Sequence, residues 1–161
     1  MIIKNFQASQ AKEVAELIKR NLVEITSQYY SPKYVASLID HHSPIKLLET
    51  AMAQRIFVAV ENSKAIGTGS LANFGIPETP SYYGTSIFVA LEFHRKGIGR
   101  QIMLKIEEQA IKLGADKITV RAAVNARGFY NKLGYTYRDG NETPDEKGNF
   151  VMDKSLNKAY I

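Results

Sequence analysis

The residues whose types and spacing could do chemistry lie together in the middle of the chain. An apolar, strand-like run ends at Phe88 and Val89, and a basic segment with two glycines follows it. The residues of interest in that segment are His94, Arg95, Lys96, Gly97, Ile98, Gly99 and Arg100. Glycines let an anion approach the main chain, and a helix that begins beside them directs free N–H groups and its positive dipole end at that anion. A lone Gly-x-Gly more often only shapes a turn, but the flanking strand and helix favour a pyrophosphate site.

Two common phosphate-binding motifs do not fit this segment. A dinucleotide fingerprint would need a third glycine at Ile102, and a P-loop would need Gly-Lys followed by Ser or Thr after four spacer residues. A second glycine pair, Gly67 and Gly69, lies within a predicted strand that no helix follows. For this pair we expect a bulge or tight packing rather than a phosphate site.

The elements that would position the segment follow from hydrophobic periodicity. The clearest helix covers residues 97–113, and Gly114 ends it. Its apolar face consists of Ile98, Ile102, Met103, Ile106, Ala110 and Leu113. Further helices are predicted after Ser9, which can cap the first of them, after Ser31, and after Ser43 through Leu47, Leu48 and Met52. A short helix near residues 127–133 is predicted to stop at Gly134. Strands are predicted at residues 2–6, 55–61, 64–74, 82–89, 117–123, 135–138 and 150–156, with a hairpin turn at Asn62 and Ser63. This order predicts one α/β domain over residues 1–161, in which helices flank a mixed sheet.

Composition excludes several classes of function. The 161 residues include no cysteine, so thiol nucleophiles and cysteine-bound zinc are ruled out. The formal net charge is +5, but the basic residues are scattered and form no stripe that would indicate a nucleic-acid partner. No apolar run approaches the roughly 20 residues of a membrane span. We therefore expect a cytoplasmic protein that binds neither nucleic acid nor membrane.

The segment around Gly97 is similar to the acetyl-CoA signature of the GCN5-related N-acetyltransferase (GNAT) family, which reads Arg or Gln, two residues, Gly, one residue, Gly or Ala. Downstream, Asn125 and the Phe-Tyr-x-x-x-Gly run that begins at Phe129 also resemble the family, as does the last strand at residues 152–156. The resemblance extends over nearly the whole chain. It implies a GNAT-like mixed sheet and acetyl-CoA as cosubstrate. No metal is expected.

The resemblance also implies roles for individual residues. The pyrophosphate would lie on the segment from Arg95 to Arg100, and the pantetheine arm would pair with the strand edge at Phe88 and Val89. The Val89 N–H would polarise the thioester carbonyl. The remaining cofactor contacts would come from His94, which stands where the family has Arg or Gln, and from Asn125, Phe129 and Tyr130.

Tyr130 is the catalytic candidate. Attack of an amine on a thioester releases a thiolate, which a phenol can protonate or hydrogen-bond. The spacing of Phe129, Tyr130 and Leu133 also fits a tyrosine that only packs in the core. The family match favours the catalytic role.

The general base and the acceptor site are less defined. Residues 82–88 contain no Asp, Glu or His, although many family members carry a base on this strand, so a water or Glu78 could take the proton. His41 and His42 fit a solvated helix end better than a metal site. Three tyrosines near Ser31 could line an acceptor pocket or pack in the core: Tyr29, Tyr30 and Tyr34.

The sequence thus predicts an N-acetyltransferase that transfers acetyl from acetyl-CoA directly to a primary amine of a small molecule or peptide. Because there is no cysteine nucleophile, no covalent intermediate is expected. The alternative is a non-catalytic acyl-CoA-binding regulatory module of the same fold. The identity of the amine and assembly into a homodimer are left open.

Overall fold

The computed structural model of the chain describes residues 1–156. Over these residues the chain forms seven β-strands and five α-helices. The strands are β1 (Ile2–Asn5), β2 (Arg55–Glu61), β3 (Lys64–Asn73), β4 (Tyr82–Val89), β5 (Lys117–Ala122), β6 (Thr136–Tyr137) and β7 (Phe150–Ser155). The helices are α1 (Ala11–Glu24), α2 (Pro32–His41), α3 (Pro44–Ala53), α4 (Ile98–Lys112) and α5 (Arg127–Lys132).

The strands form one mixed sheet in the order β1-β2-β3-β4-β5-β7-β6. Strand β4 runs parallel to β5, with Tyr83 opposite Thr119, whereas β1 is antiparallel to β2 and β7 is antiparallel to both β5 and β6. The predicted mixed α/β architecture is confirmed. Asn62 and Ser63 form the tight turn between β2 and β3 with φ values of 51° and 63°, which is the backbone of a two-residue hairpin turn.

The described chain divides into two compact units. Three elements have residues in both units: β3, β4 and α4. The first unit contains residues 1–70 and 86–106, and the second contains residues 71–85 and 107–156. The single domain predicted for residues 1–161 remains a prediction.

The core of the first unit lies between the three N-terminal helices and β2. Its buried members are Val14, Ala15, Leu17, Ile18, Leu22, Val35, Leu47 and Val58. Ser31 and Ser43 accept hydrogen bonds from the N–H groups of Tyr34 and Lys46, so both serines cap the helices that were predicted to begin after them.

The core of the second unit is built on β5, β7 and the end of α4. Ile118, Val120, Met152 and Tyr135 are each at most 1% exposed. Gly114 and Gly134, at φ values of 94° and 97°, end α4 and α5 as predicted.

Three details of the helices differ from the sequence prediction. Ser9 does not cap α1, because it lies within a single 3-10 turn whose Gln7 N–H bonds the Gln10 side chain. Leu113 is 45% exposed, because α4 ends at Lys112 before that position can return to the buried face. Met52 on α3 is 88% exposed, so Leu47 carries the packing of that helix.

Candidate functional site

The backbone turns sharply before α4. Arg95 and Gly97 both have positive φ, at 62° and 79°, and a Cβ built on Gly97 would meet no atom within 4 Å. The Gln101 N–H donates to the Gly97 carbonyl at 3.1 Å and closes the first helical turn. The N–H groups of Ile98, Gly99 and Arg100 precede that bond and have no acceptor within the helix. This open end of α4, with residues 94–97 before it, is called the N-terminal loop of α4.

Two glycines on β3 allow α4 to pack against the sheet. A Cβ on Gly67 would lie 2.8 Å from Ile102 Cδ1, and a Cβ on Gly69 would lie 2.6 Å from Ile102 Cγ2. Such contacts are shorter than carbon atoms tolerate, so the helix can approach this closely only because both positions lack side chains. The sequence-based interpretation of tight packing is confirmed, and the same contact holds the first turns of α4 in place.

The charged side chains of the loop and of the first turn of α4 are all basic. Arg95, Lys96 and Arg100 are exposed, and the first turn of α4 contains no acidic residue. Lys96 lies with its Nζ 5.2 Å from the centre of the Phe93 ring. The nearby carboxylate of Glu92 already pairs with Arg20 at 2.7 Å. Cations beside the positive end of a helix dipole are repelled by that dipole. A bound anion would be attracted to both the cations and the dipole.

Phe88 and Val89 end β4 with the main chain at Val89 held by two side chains. Asn21 Nδ2 donates to the Val89 carbonyl at 2.9 Å and to the Leu17 carbonyl at 3.0 Å. His94 Nε2 lies 2.7 Å from the same Val89 oxygen, and since a carbonyl can only accept, this nitrogen carries the proton. The role of Asn21 was missed, although a polar residue on the apolar face of α1 was the available signal.

His94 is therefore bonded to the protein's own backbone. Its ring is exposed. Because Nε2 carries the proton and donates it to the Val89 carbonyl, the other nitrogen, Nδ1, carries no hydrogen in the neutral form. Nδ1 would donate to a phosphate only after protonation of the ring. The predicted phosphate contact of His94 stays a prediction that requires the imidazolium.

The second unit contains the other three predicted residues, Asn125, Phe129 and Tyr130. Asn125 is exposed in a 3-10 turn, and over residues 1–156 its side chain has no hydrogen-bond partner. Phe129 is half-buried with its ring edge-on to Tyr130, at 5.0 Å between centroids. Both side chains keep a surface that a ligand could use.

Tyr130 combines a buried ring with an uncommitted hydroxyl. The residue is 7% exposed, and the ring packs edge-on against Tyr135 at 5.6 Å. No group described among residues 1–156 bonds its hydroxyl. Burial raises the pKa of Tyr130 far above that of a free phenol, so the hydroxyl remains a hydrogen-bond donor at any physiological pH.

Tyr135, one of the most buried residues, has the opposite character. Its hydroxyl donates to Glu107 Oε2 at 2.8 Å, and Lys154 Nζ donates to Glu107 Oε1 at 2.8 Å. This Tyr135–Glu107–Lys154 triad was not predicted. Glu107 is a charged residue on the buried face of α4, which was the signal in the sequence.

A second unpredicted contact joins His42 to Ser86. His42 Nε2 lies 2.9 Å from the Ser86 hydroxyl, and its ring is edge-on to Phe88 at 5.6 Å. His41 is exposed, with Nδ1 2.7 Å from the Ser37 carbonyl. A solvated helix end is therefore correct for His41 and wrong for His42, which is half-buried. Over the described residues there is no cluster of three His, Asp or Glu that could hold a metal ion.

The structure thus brings the predicted residues together in two sets. Phe88, Val89 and the N-terminal loop of α4 belong to the first unit, and Asn125, Phe129 and Tyr130 belong to the second. Of the tyrosines considered for an acceptor pocket, Tyr30 and Tyr34 pack on each other with ring centres 5.2 Å apart. Glu78 is exposed. No helix among residues 1–156 has the length and apolar character needed to cross a membrane.

Solved structures similar to this chain are acetyltransferases. The PaiA N-acetyltransferase of Thermoplasma acidophilum, in complex with coenzyme A, has a TM-score of 0.78 at 20% identity, over 97% of this chain and 100% of that chain. A GCN5-related N-acetyltransferase from Rhodopseudomonas palustris has a TM-score of 0.79 at 20% identity, over 96% and 95%. A GNAT-family acetyltransferase from Staphylococcus aureus has a TM-score of 0.75 at 15% identity, over 97% and 99%. These TM-scores establish a shared fold.

The sequence comparisons give the family. No curated protein sequence matches the chain. The profile of the acetyltransferase (GNAT) domain matches residues 26–153, which is well over half of the chain. With the mixed sheet and the fold shared with known acetyltransferases, this match shows that the chain belongs to the GNAT acetyltransferase family.

Proposed function

We propose that the protein is an N-acetyltransferase that binds acetyl-CoA and transfers the acetyl group directly to a primary amine of a small molecule or peptide. One observation carries the proposal: the first turn of α4 presents three N–H groups without helical acceptors, among the exposed cations Arg95, Lys96 and Arg100. This arrangement suits a pyrophosphate, which accepts hydrogen bonds and carries negative charge. The relative from Thermoplasma acidophilum was solved with coenzyme A, which supports the same ligand here.

Each predicted residue has a role in the proposal. Gly97 leaves space beside the main chain, Gly99 has no side chain to obstruct an anion, and Arg95, Lys96 and Arg100 add charge. Phe88 and Val89 would pair with the pantetheine arm, and Asn21 and His94 hold the main chain at Val89 for that task. In the second unit, Asn125 and Phe129 would contact the cofactor. Bound acetyl-CoA supplies a thioester, an acyl donor that an amine can attack.

Tyr130 would stabilise the departing sulfur. A phenol whose pKa is raised by burial is a weaker acid than a thiol, whose pKa is about 8.5. Complete proton transfer from Tyr130 to a thiolate would then be uphill. The hydroxyl would act instead as a hydrogen-bond donor to the developing negative charge, as an oxyanion-hole donor does.

A non-catalytic acyl-CoA-binding module is the second candidate. The observation that favours it is the absence of Asp, Glu and His from residues 82–88 of β4. Such a module would bind the cofactor through the same loop and release no free thiol when an amine is added. The cytoplasmic location expected from the sequence belongs to either candidate.

The experiment measures binding and transfer separately. Calorimetry with CoA tests the N-terminal loop of α4, and release of free thiol from acetyl-CoA tests transfer to polyamines, amino acids, aminoglycosides and peptides with free N-termini. Mass spectrometry of the amine identifies the acetylated nitrogen. Binding with thiol release supports the acetyltransferase, binding without release on the whole panel supports the module, and no binding overturns both.

A further inference from the structure

The contacts of His42 indicate the tautomer of its neutral ring. Its Nδ1 lies 2.6 Å from the Leu38 carbonyl oxygen, which can only accept, so Nδ1 carries the ring proton. In the neutral ring Nε2 then has a lone pair, and the Ser86 hydroxyl at 2.9 Å donates to it. This direction of hydrogen bonding is that of a hydroxyl paired with a base.

Ser86 occupies an unusual backbone conformation. Its φ of 54° lies in the left-handed region within β4, where a residue with a Cβ is uncommon. Two residues earlier in the strand, Gly84 still pairs in regular register with Val120 of β5. Such conformations persist where the surroundings enforce them and are concentrated at functional sites. Ser86 is half-buried, so its oxygen can accept a hydrogen bond from a ligand while it donates to His42.

The surroundings of His42 favour the neutral ring. Burial lowers the pKa of His42 below the 6.5 of an ordinary imidazole, the hydrogen bond to Leu38 opposes this, and the charge of His41 lowers it further. The other side chains described against the ring, those of Phe88 and Ser86, carry no charge. His42 is therefore able to accept a proton at neutral pH.

Acetyl transfer needs such a group. An amine is protonated near neutral pH and must lose a proton before its nitrogen can attack, and β4 itself supplies no carboxylate or imidazole between residues 82 and 88. Helix α2 ends at His41, and the next residue brings an imidazole to β4 from 44 positions away. An imidazole that follows α2 thus lies beside the strand that has no basic side chain of its own.

We propose that His42 is the general base of the acetyl transfer, and that it takes the proton of the acceptor amine through the hydroxyl of Ser86. The inference rests on the proposed acetyltransferase function. The ammonium gives one proton to Ser86 Oγ as the hydroxyl proton moves to His42 Nε2, and the imidazolium returns it to water. The C–N bond forms, the C–S bond breaks with its electron pair on sulfur, and the second proton lost by nitrogen ends on that sulfur. The net products are the amide, the CoA thiol and one proton released to water.

The test compares His42→Gln with His41→Gln in the full chain. The two imidazoles are adjacent and both bond a carbonyl of α2 through Nδ1, but His42 alone contacts Ser86. For the best amine of the panel, we expect kcat/KM to fall about 100- to 10,000-fold in His42→Gln and to stay within about threefold in His41→Gln. CoA affinity and the melting temperature should be retained in both variants.

Two readouts separate a base from a structural histidine. The parent's kcat/KM should decline on the acid side with a midpoint below pH 6.5, and His42→Gln should lose that limb. Added imidazole should restore part of the activity of His42→Ala, which a packing role would not allow. Ser86→Ala should lower kcat/KM without changing CoA affinity.

The outcomes are distinct. A parent that transfers acetyl while His42→Gln keeps its rate and acid limb overturns the role of His42 and leaves the proposed function standing. A parent that transfers acetyl to no amine overturns the proposed function and this inference with it. Loss of activity with lost CoA binding or a lowered melting temperature in His42→Gln, without imidazole rescue of His42→Ala, assigns His42 to the structure and overturns the inference.

Discussion

The N-terminal loop of α4 and the Tyr135–Glu107–Lys154 triad both contain charged groups, but only those of the triad are paired within the protein. In the loop, Arg95, Lys96 and Arg100 are exposed, and helical N–H groups lack acceptors. In the triad, both oxygens of a buried carboxylate receive a donor at 2.8 Å. Polar groups whose hydrogen bonds are completed internally stabilise the fold, whereas groups left without partners are available to a ligand. Substitutions in the two regions should therefore affect different measurements.

The largest expected effect is on stability, in the triad. Lys154→Met would leave the Glu107 carboxylate, which is 8% exposed, with Tyr135 as its only described donor, and should lower the free energy of unfolding by about 3 to 5 kcal/mol. The control is Lys112→Met, which removes an ion pair with Glu108. The two side chains of that pair are 50% and 52% exposed, so the free energy of unfolding should fall by less than about 0.5 kcal/mol. Urea unfolding measures both variants. Equal costs would contradict the importance of the buried pair.

The next effect is on binding, in the loop. Gly99→Val would place a branched side chain where an anion must approach the main chain, and CoA affinity should fall about 100-fold or more, roughly 3 kcal/mol. Gln101→Val adds the same side chain at an exposed position two residues further along α4 and should leave affinity unchanged. Calorimetry decides, together with melting curves. Full affinity in a folded Gly99→Val protein would remove the loop from the cofactor site.

A sharper comparison uses two tyrosines of the second unit that touch each other. Tyr130→Phe removes a hydroxyl without a described partner, so kcat should fall about 10- to 1,000-fold while stability changes little. Tyr135→Phe removes the donor to Glu107, so stability should fall by about 1 to 3 kcal/mol while kcat per folded molecule is kept. If the two variants exchange these patterns, the assignment of Tyr130 is wrong, and Tyr137 becomes the next candidate.

The smallest effect concerns a partly exposed network and its dependence on pH. Burial raises the pKa of Asp153, but hydrogen bonds from Arg138 and Thr119 outweigh it, and the net pKa lies below the usual 3.8. The carboxylate therefore stabilises the fold above pH 3.8, and this contribution disappears as the pH falls through the lowered pKa. Asp153→Asn should cost about 1 kcal/mol at pH 7 and less toward pH 3. A cost that does not change with pH would exclude this linkage.

Local patterns of residues were sufficient for most of the fold and for the loop. The apolar spacing of α4 predicted its buried face, and Gly97 and Gly99 predicted its open start, because both depend on neighbours within a few positions. Contacts between distant residues could not be read in this way. Asn21 bonds Val89 across 68 positions and His42 bonds Ser86 across 44, and each pairing depends on how the helices and strands pack. His41 and His42 look alike in sequence, and only packing separates them.

Helix ends were the other source of error. Leu113 and Met52 continue apolar spacings, but Met52 lies on an exposed face and Leu113 lies beyond the last residue of α4. Periodicity does not show where a helix loses its partner surface. The roles of Asn125, Phe129 and His94 stay predictions, and those of His94 now depend on its hydrogen bond to Val89.

The packing of Gly67 against α4 has a consequence for sequence variation. The atom nearest to a Cβ on Gly67 is Ile102 Cδ1, at 2.8 Å, and valine lacks that atom. Gly67→Ala alone should crowd this contact. With Ile102→Val as well, β3 gains one carbon atom and α4 loses one, so the number of carbon atoms at the contact stays the same. Among related chains, we therefore expect a larger residue at position 67 to occur with a smaller one at position 102. If the proposed cofactor site is correct, a change at either position alters cofactor affinity by moving α4, although neither residue contacts the cofactor.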